Sequence, residues 1–79
     1  MITLYDFHAM NINDKMEAVY LGNYIGDRLE ASTVIQLYNM GNFYAEVFYH
    51  REKNEIIKIR GFKTTKLIEP YVKDIKITF

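Results

Sequence analysis

The stretch Thr33-Val34-Ile35-Gln36-Leu37-Tyr38-Asn39-Met40-Gly41-Asn42-Phe43-Tyr44-Ala45-Glu46-Val47-Phe48-Tyr49-His50 decides the fold. Two runs of β-branched and aromatic residues flank Asn39-Met40-Gly41-Asn42, whose residue types favour a tight reversal, so the stretch reads as a hairpin. A second break, Arg51-Glu52-Lys53-Asn54, leads into Glu55-Ile56-Ile57-Lys58-Ile59-Arg60-Gly61-Phe62. Three antiparallel strands in a meander are the expectation.

The register follows from the requirement that apolar side chains share a face, because a slip of one residue inverts a strand. A three-residue loop at Met40-Gly41-Asn42 sets Leu37 opposite Ala45 and Ile35 opposite Val47, with Tyr38 opposite Tyr44 and Gln36 opposite Glu46. A three-residue loop at Glu52-Lys53-Asn54, with Asn54 left-handed, sets Tyr49 opposite Ile57 and Val47 opposite Ile59. The reverse side then pairs Phe48 with Lys58 and Glu46 with Arg60. The expected core face is Ile35, Leu37, Ala45, Val47, Ile57 and Ile59. The expected outer face carries Tyr38, Tyr44, Phe48, Gln36, Glu46, Lys58, Arg60 and, from the preceding strand, Arg28.

Upstream, Asn11 to Gly22 reads as a helix with Asn11 as N-cap and an inner stripe of Ile12, Met16, Val19 and Tyr20. Gly22 stands where a left-handed C-cap is expected. Ile2, Leu4 and Phe7 belong to a lead-in segment docked on the core. Asn23 to Glu30 is a first strand with a bulge or bend at Gly26-Asp27, and Ala31-Ser32 turns into the next strand. Downstream, Lys63-Thr64-Thr65 opens a second helix with a Leu67, Tyr71, Ile75 stripe kinked at Pro70. A short alternating tail, Lys76 to Phe79, follows it. The whole chain, residues 1–79, is thus expected to be a single α+β domain of order α-β-β-β-β-α. Its four-stranded antiparallel meander carries an N-terminal and a C-terminal helix on one face.

Composition bounds the rest. A chain of 79 residues without cysteine must hold itself together by apolar burial alone, and 49% hydrophobic content with seven Tyr and five Phe supplies the material. There is no signal-peptide pattern at Met1 to His8 and no run long enough to span a bilayer, so the expectation is a cytoplasmic protein with no membrane partner. Net charge is zero but polarised. Through Tyr49, Lys15 and Arg28 stand against six acids, a balance of −4; from His50 onward eight basic residues stand against four acids, a balance of +4.

The layout of a helix ending in Gly22, a strand with Arg28, Leu37-Tyr38, Phe43-Tyr44-Ala45-Glu46-Val47-Phe48-Tyr49, Phe62-Lys63-Thr64-Thr65, Leu67 and Pro70-Tyr71 resembles a group of small uncharacterised bacterial proteins. The resemblance covers roughly residues 10 to 75, with Ala45 in place of the more usual valine. It implies the α+β architecture and brings no activity with it.

No catalytic or cofactor signature accompanies this frame. His8 and His50 lack acidic or histidine neighbours at ligand spacing, and Ser32 has no nucleophile-elbow context. Gly22, Gly26 and Gly41 are isolated and make no phosphate loop. Glu30 and Glu46 read as partners of Arg28 and Arg60 rather than as an acid/base pair. The expectation is therefore a non-enzymatic protein-binding module, with no cofactor and no metal, that uses the outer face or a sheet edge. Its partner-binding residues are Arg28, Tyr38, Tyr44, Glu46, Phe48, Lys58 and Arg60, and its partner is another protein or a second copy. The alternatives are a phage or mobile-element inhibitor of a host nuclease, of the CRISPR-inhibitor type, or an unrecognised small enzyme. Nucleic acid is disfavoured by Glu30 and Glu46 among the aromatics.

Overall fold

The structure is a computed structural model that describes residues 2–63. The expected second helix and tail, from Thr64 onward, lie outside the described residues. Two short helices, α1 (Leu4–His8) and α2 (Ile12–Tyr20), precede four strands: β1 (Asn23–Glu30), β2 (Thr33–Asn39), β3 (Tyr44–His50) and β4 (Glu55–Phe62). The strands form one antiparallel sheet in the order β1-β2-β3-β4. The meander and the helix at Ile12–Tyr20 are as the sequence led us to expect; the lead-in segment is itself a helix.

Each helix starts where a side chain can take up an otherwise orphaned amide. Asn11 accepts the Asp14 amide at 2.9 Å, and Thr3 and Asp6 cap each other's backbone in a reciprocal box. Helix α2 buries Val19 fully and Met16 in part, whereas Ile12 is half exposed and Tyr20 is 70% exposed. Val19, Tyr20 and Leu21 are consecutive, and successive helical residues point about 100° apart, so they cannot share an inner face. That corrects the placing of Tyr20 on the core stripe.

Gly22 is also corrected in its role. Leu21 ends the helix in the right-handed region, and Gly41 is the glycine with positive φ among the described residues. Gly22 is needed because a Cβ there would stand 2.6 Å from Met40 Sδ and 3.0 Å from the Asn39 carbonyl. The glycine permits close approach rather than an unusual φ.

The β2–β3 connection is one residue longer than expected, and this changes the sheet. Met40 donates its amide to the Phe43 carbonyl at 2.9 Å, so Phe43 is a loop residue and Asn39 pairs with Tyr44. Leu37 therefore lies opposite Glu46, Ile35 opposite Phe48, Gln36 opposite Val47 and Tyr38 opposite Ala45. The predicted pairs are all displaced by one, and β2 is turned over relative to the expected faces. The reason is Phe43: it is buried, with its ring 5.2 Å from that of Phe7. A Phe fully withdrawn from water contributes about 2–3 kcal/mol, enough to favour the register that buries it.

The β3–β4 pairing keeps Val47 with Ile59, Phe48 with Lys58 and Glu46 with Arg60, as expected. Beyond Phe48 an irregularity leaves Ile57 as an extra residue, so Tyr49 meets Ile56 and not Ile57, which is half exposed rather than core. The turn itself runs through four residues, Arg51 to Asn54, with Asn54 at φ 56° as expected. In β1 the extra residue is Ile25, between Tyr24 and Gly26, close to the bulge expected at Gly26-Asp27.

Both faces of the sheet carry an apolar cluster. On the helix side, Phe7, Val19, Met40, Phe43, Ala45, Val47 and Ile59 are buried together, with Ile2, Leu4 and Tyr38 against them. On the other side, Ile35, Leu37 and Phe62 are buried, with Ile25, Tyr44 and Phe48 against them. Ala45 lies directly opposite Gly61, and these two small residues make the floor on which α1 sits. A Cβ on Gly61 would stand 2.6 Å from Leu4 Cδ1 and 3.1 Å from the Phe7 ring. Overpacking of this kind costs about 1–3 kcal/mol. Gly61→Ala should lower the urea midpoint accordingly, and Gly61→Val should do so further, while a neutral Gly61→Val would show that α1 is not seated there.

Candidate functional site

The face away from the helices gathers six of the seven predicted partner-binding residues. Glu46 is fully buried at its centre, directly across from Leu37 on one side and Arg60 on the other. A charge in that position persists only if it is paired. Arg60 Nε donates to Glu46 Oε1 at 2.6 Å, and Arg28 Nη2 lies 3.6 Å from Oε2. Arg28 also donates through Nη1 to Glu30 Oε2 at 2.8 Å. Glu30 and Glu46 thus share Arg28, and the network joins β1, β3 and β4 across the top of β2.

The aromatic members of this face are engaged in the same way. Lys58 Nζ lies 4.4 Å from the centre of the Phe48 ring, and the Arg60 guanidinium lies 5.8 Å from Phe48 and 5.6 Å from Phe62. The Tyr44 ring stacks on Phe62 with centroids 5.8 Å apart. Cations over ring faces contribute about 0.5–1 kcal/mol when exposed. Phe48 and Tyr44 are half-buried, so what this face shows to solvent is chiefly Lys58, Glu30 and part of Arg60.

Tyr38, the seventh residue, is on the helix side, because the four-residue loop turned β2 over. There it meets Tyr24 edge-on, with ring centroids 5.6 Å apart and planes at 68°. The Tyr24 hydroxyl donates to Asp27 Oδ1 at 2.6 Å. Partial burial, then the hydrogen bond to Asp27 and its negative charge, push the Tyr24 phenol up to about 12. Tyr38 is raised as well, by burial first and then by Tyr20 and Asp27.

This corner holds a surface that the sequence reading missed. Tyr20 is 70%, Leu21 90% and Tyr24 55% exposed, around the point where α2 passes into the outer strand β1. Beside them is a hollow of about 340 Å³ lined by Ile2, Ala18, Leu21, Gly22 and Met40. The available signal was the run Val19-Tyr20-Leu21 at a helix end. Three consecutive apolar residues cannot all face inward.

The remaining polar candidates have local structural duties. His50 Nδ1 accepts the Lys53 amide at 3.2 Å inside the β3–β4 turn, His8 Nε2 lies 3.3 Å from the Gly61 carbonyl, and the Ser32 carbonyl accepts the Arg51 amide at 3.0 Å. Among the described residues no helix is long and apolar enough to cross a membrane.

No family model matches the chain. No curated protein and no solved structure matches it either.

Two measurements probe these sites. Glu46→Ala leaves two guanidinium groups facing a buried void, and should cost about 2–4 kcal/mol in chemical denaturation, at the low end because Arg60 can rehydrate. Replacing Arg28, Glu46 and Arg60 together by Met, Leu and Met should recover most of that loss; failure to recover would mean that the ions themselves carry the stability. For Tyr24, a folded-state pKa of about 12 above the usual 10 means that its contribution is whole below pH 10 and is lost as pH rises through about 12. Tyr24→Phe should accordingly remove phenolate absorbance only at the alkaline end of a titration. A loss near pH 10 would show that neither burial nor Asp27 holds that proton.

Proposed function

We propose that this protein is a non-enzymatic protein-binding module that meets its partner at the α2–β1 corner. The observation that carries the reading is the grouping of Tyr20, Leu21 and Tyr24, each more than half exposed, beside an apolar hollow. Exposed tyrosines with a neighbouring aliphatic side chain combine large apolar area with polar tips, the composition favoured at the centres of protein interfaces. The opposite face fits the role less well. Its carboxylate is buried and held by Arg28 and Arg60, and its rings are covered by Lys58, Arg60 and Phe62. The binding surface is thus best sought along the outer strand β1 on the helix side rather than on the ionic face, and Tyr38 belongs to it through its contact with Tyr24.

Affinity capture from the source cell tests this reading with three baits: wild type, Tyr20→Ser/Leu21→Ser/Tyr24→Ser, and Lys58→Ala. Tyr20→Ser and Leu21→Ser should each change stability by no more than about 0.5 kcal/mol, whereas Tyr24→Ser also loses the bond to Asp27 and the contact with Tyr38 and should cost about 1 kcal/mol. The triple variant should lose partners that wild type and Lys58→Ala retain. If the folded triple variant keeps every partner, the corner is not a binding surface.

A further inference from the structure

We propose that residues 64–79 of this chain cover the sheet face opposite α1 and α2, so that the Glu46 ion cluster is an interior between two layers. Leu37 and Glu46 are both 0% exposed and Ile35 is 1% exposed, and all three stand on that face. The two described helices lie on the other side, where Phe7 and Val19 meet Val47 and Ile59. Side chains stand roughly perpendicular to a sheet, so ladder neighbours screen one another's flanks and leave their tips to whatever lies above. Tips that water does not reach have a cover.

At the outer margin the need is greatest. Gly26, in β1, lies directly opposite Leu37 and has no side chain to lean over it, and yet both residues are buried. The cover therefore extends to the outermost strand. An antiparallel sheet with one face in water carries polar residues on that face. Here the face carries Ile35, Leu37 and Phe62 as a second buried cluster.

The chain beyond β4 fits this role in position, length, pattern and charge. Phe62 ends β4 within the same cluster, its ring stacked on Tyr44, so the chain sets out from a corner of the face to be covered. As a helix, residues 64–79 would extend about 24 Å, and the outer axes of four strands are about 14 Å apart. At helical spacing Leu67, Ile68, Tyr71 and Ile75 make one apolar stripe, with Lys66, Glu69, Lys73 and Lys76 on the reverse. The face holds Arg28, Lys58 and Arg60 against Glu30 and Glu46, one positive charge in surplus, and Asp74 stands at the margin of the stripe. The sequence pattern alone placed this segment beside α1 and α2; the burial of Gly26, Leu37 and Glu46 puts it on the reverse. The α2–β1 corner, on the helix side, is left open by this layer.

Nuclear Overhauser contacts in the full chain test the placement. The Tyr71 ring and the Ile75 methyls should show contacts to the Leu37 and Ile35 methyls and none to Val19. Contacts to Val19, Val47 or Ile59 instead, or to neither group, overturn the proposal. A Tyr71→Ser variant supplies a second arm, read with a soluble gadolinium chelate that broadens methyls open to solvent. Leu37 should be as protected as Val19 in the wild type, and its broadening should rise severalfold in the variant while that of Val19 stays level. A Leu37 that is equally broadened in both proteins overturns the proposal, and if the variant unfolds the wild-type contacts decide.

Discussion

The withdrawal of one ring from water, that of Phe43, sets the arrangement of everything around it. Phe43 sits against Phe7 in the helix-side core, and to reach that position it must leave the β3 ladder and join the loop. The connection from β2 to β3 is thereby fixed at four residues and closed by the Met40 amide on the Phe43 carbonyl. Because side chains alternate along a strand, the added residue assigns every member of β2 to the face opposite the one its alternation suggests. Ile35 and Leu37 pass to the side away from the helices, and Tyr38 passes to the side that carries them.

That reassignment explains why a strongly charged cluster can be buried in so small a protein. With Leu37 and Ile35 beside it, Glu46 is enclosed by apolar groups, and its carboxylate is satisfied by guanidinium groups that arrive from strands on both sides. On the helix side, the same shift brings the row Tyr24, Tyr38, Ala45 and Gly61 together, running from large to small across the sheet. The small end receives α1, and the large end stands clear of it as the tyrosine corner. One register thus places both the ionic cluster and the proposed binding surface.

How far this could be read in advance depended on whether the deciding contact was local. The four strands, the Asn11 cap of α2, the left-handed Asn54 and the bulge in β1 are governed by residues within a few positions of one another, and each is legible. The pairing of Glu46 with Arg60 and of Phe48 with Lys58 agrees with the expectation for a different reason: the turn has four residues rather than the three expected, and the extra residue Ile57 restores the register beyond it. The β2 register was not legible. It turns on Phe43 meeting Phe7, which lies far away in the chain and whose helix is only five residues long. For the same reason six candidate residues fall on one face and Tyr38 does not, and the exposed Tyr20 and Leu21 emerge only once Val19 is known to occupy the inner position.

The two extra residues in the outer strands, Ile25 in β1 and Ile57 in β4, have a consequence for the molecule in a crowded solution. A regular outer strand is an open template on which another chain can add, and such addition is how ordered domains seed fibres. Here both outermost strands of the described sheet carry a kink in the backbone, followed within a few residues by charged side chains, Asp27 and Arg28 in one and Lys58 in the other. A newcomer could match only a few amides before losing step. A domain so rich in tyrosine, phenylalanine and isoleucine, with zero net charge and no disulfide to restrain it, carries an evident aggregation hazard. Its two kinked margins leave a newcomer little regular ladder to extend.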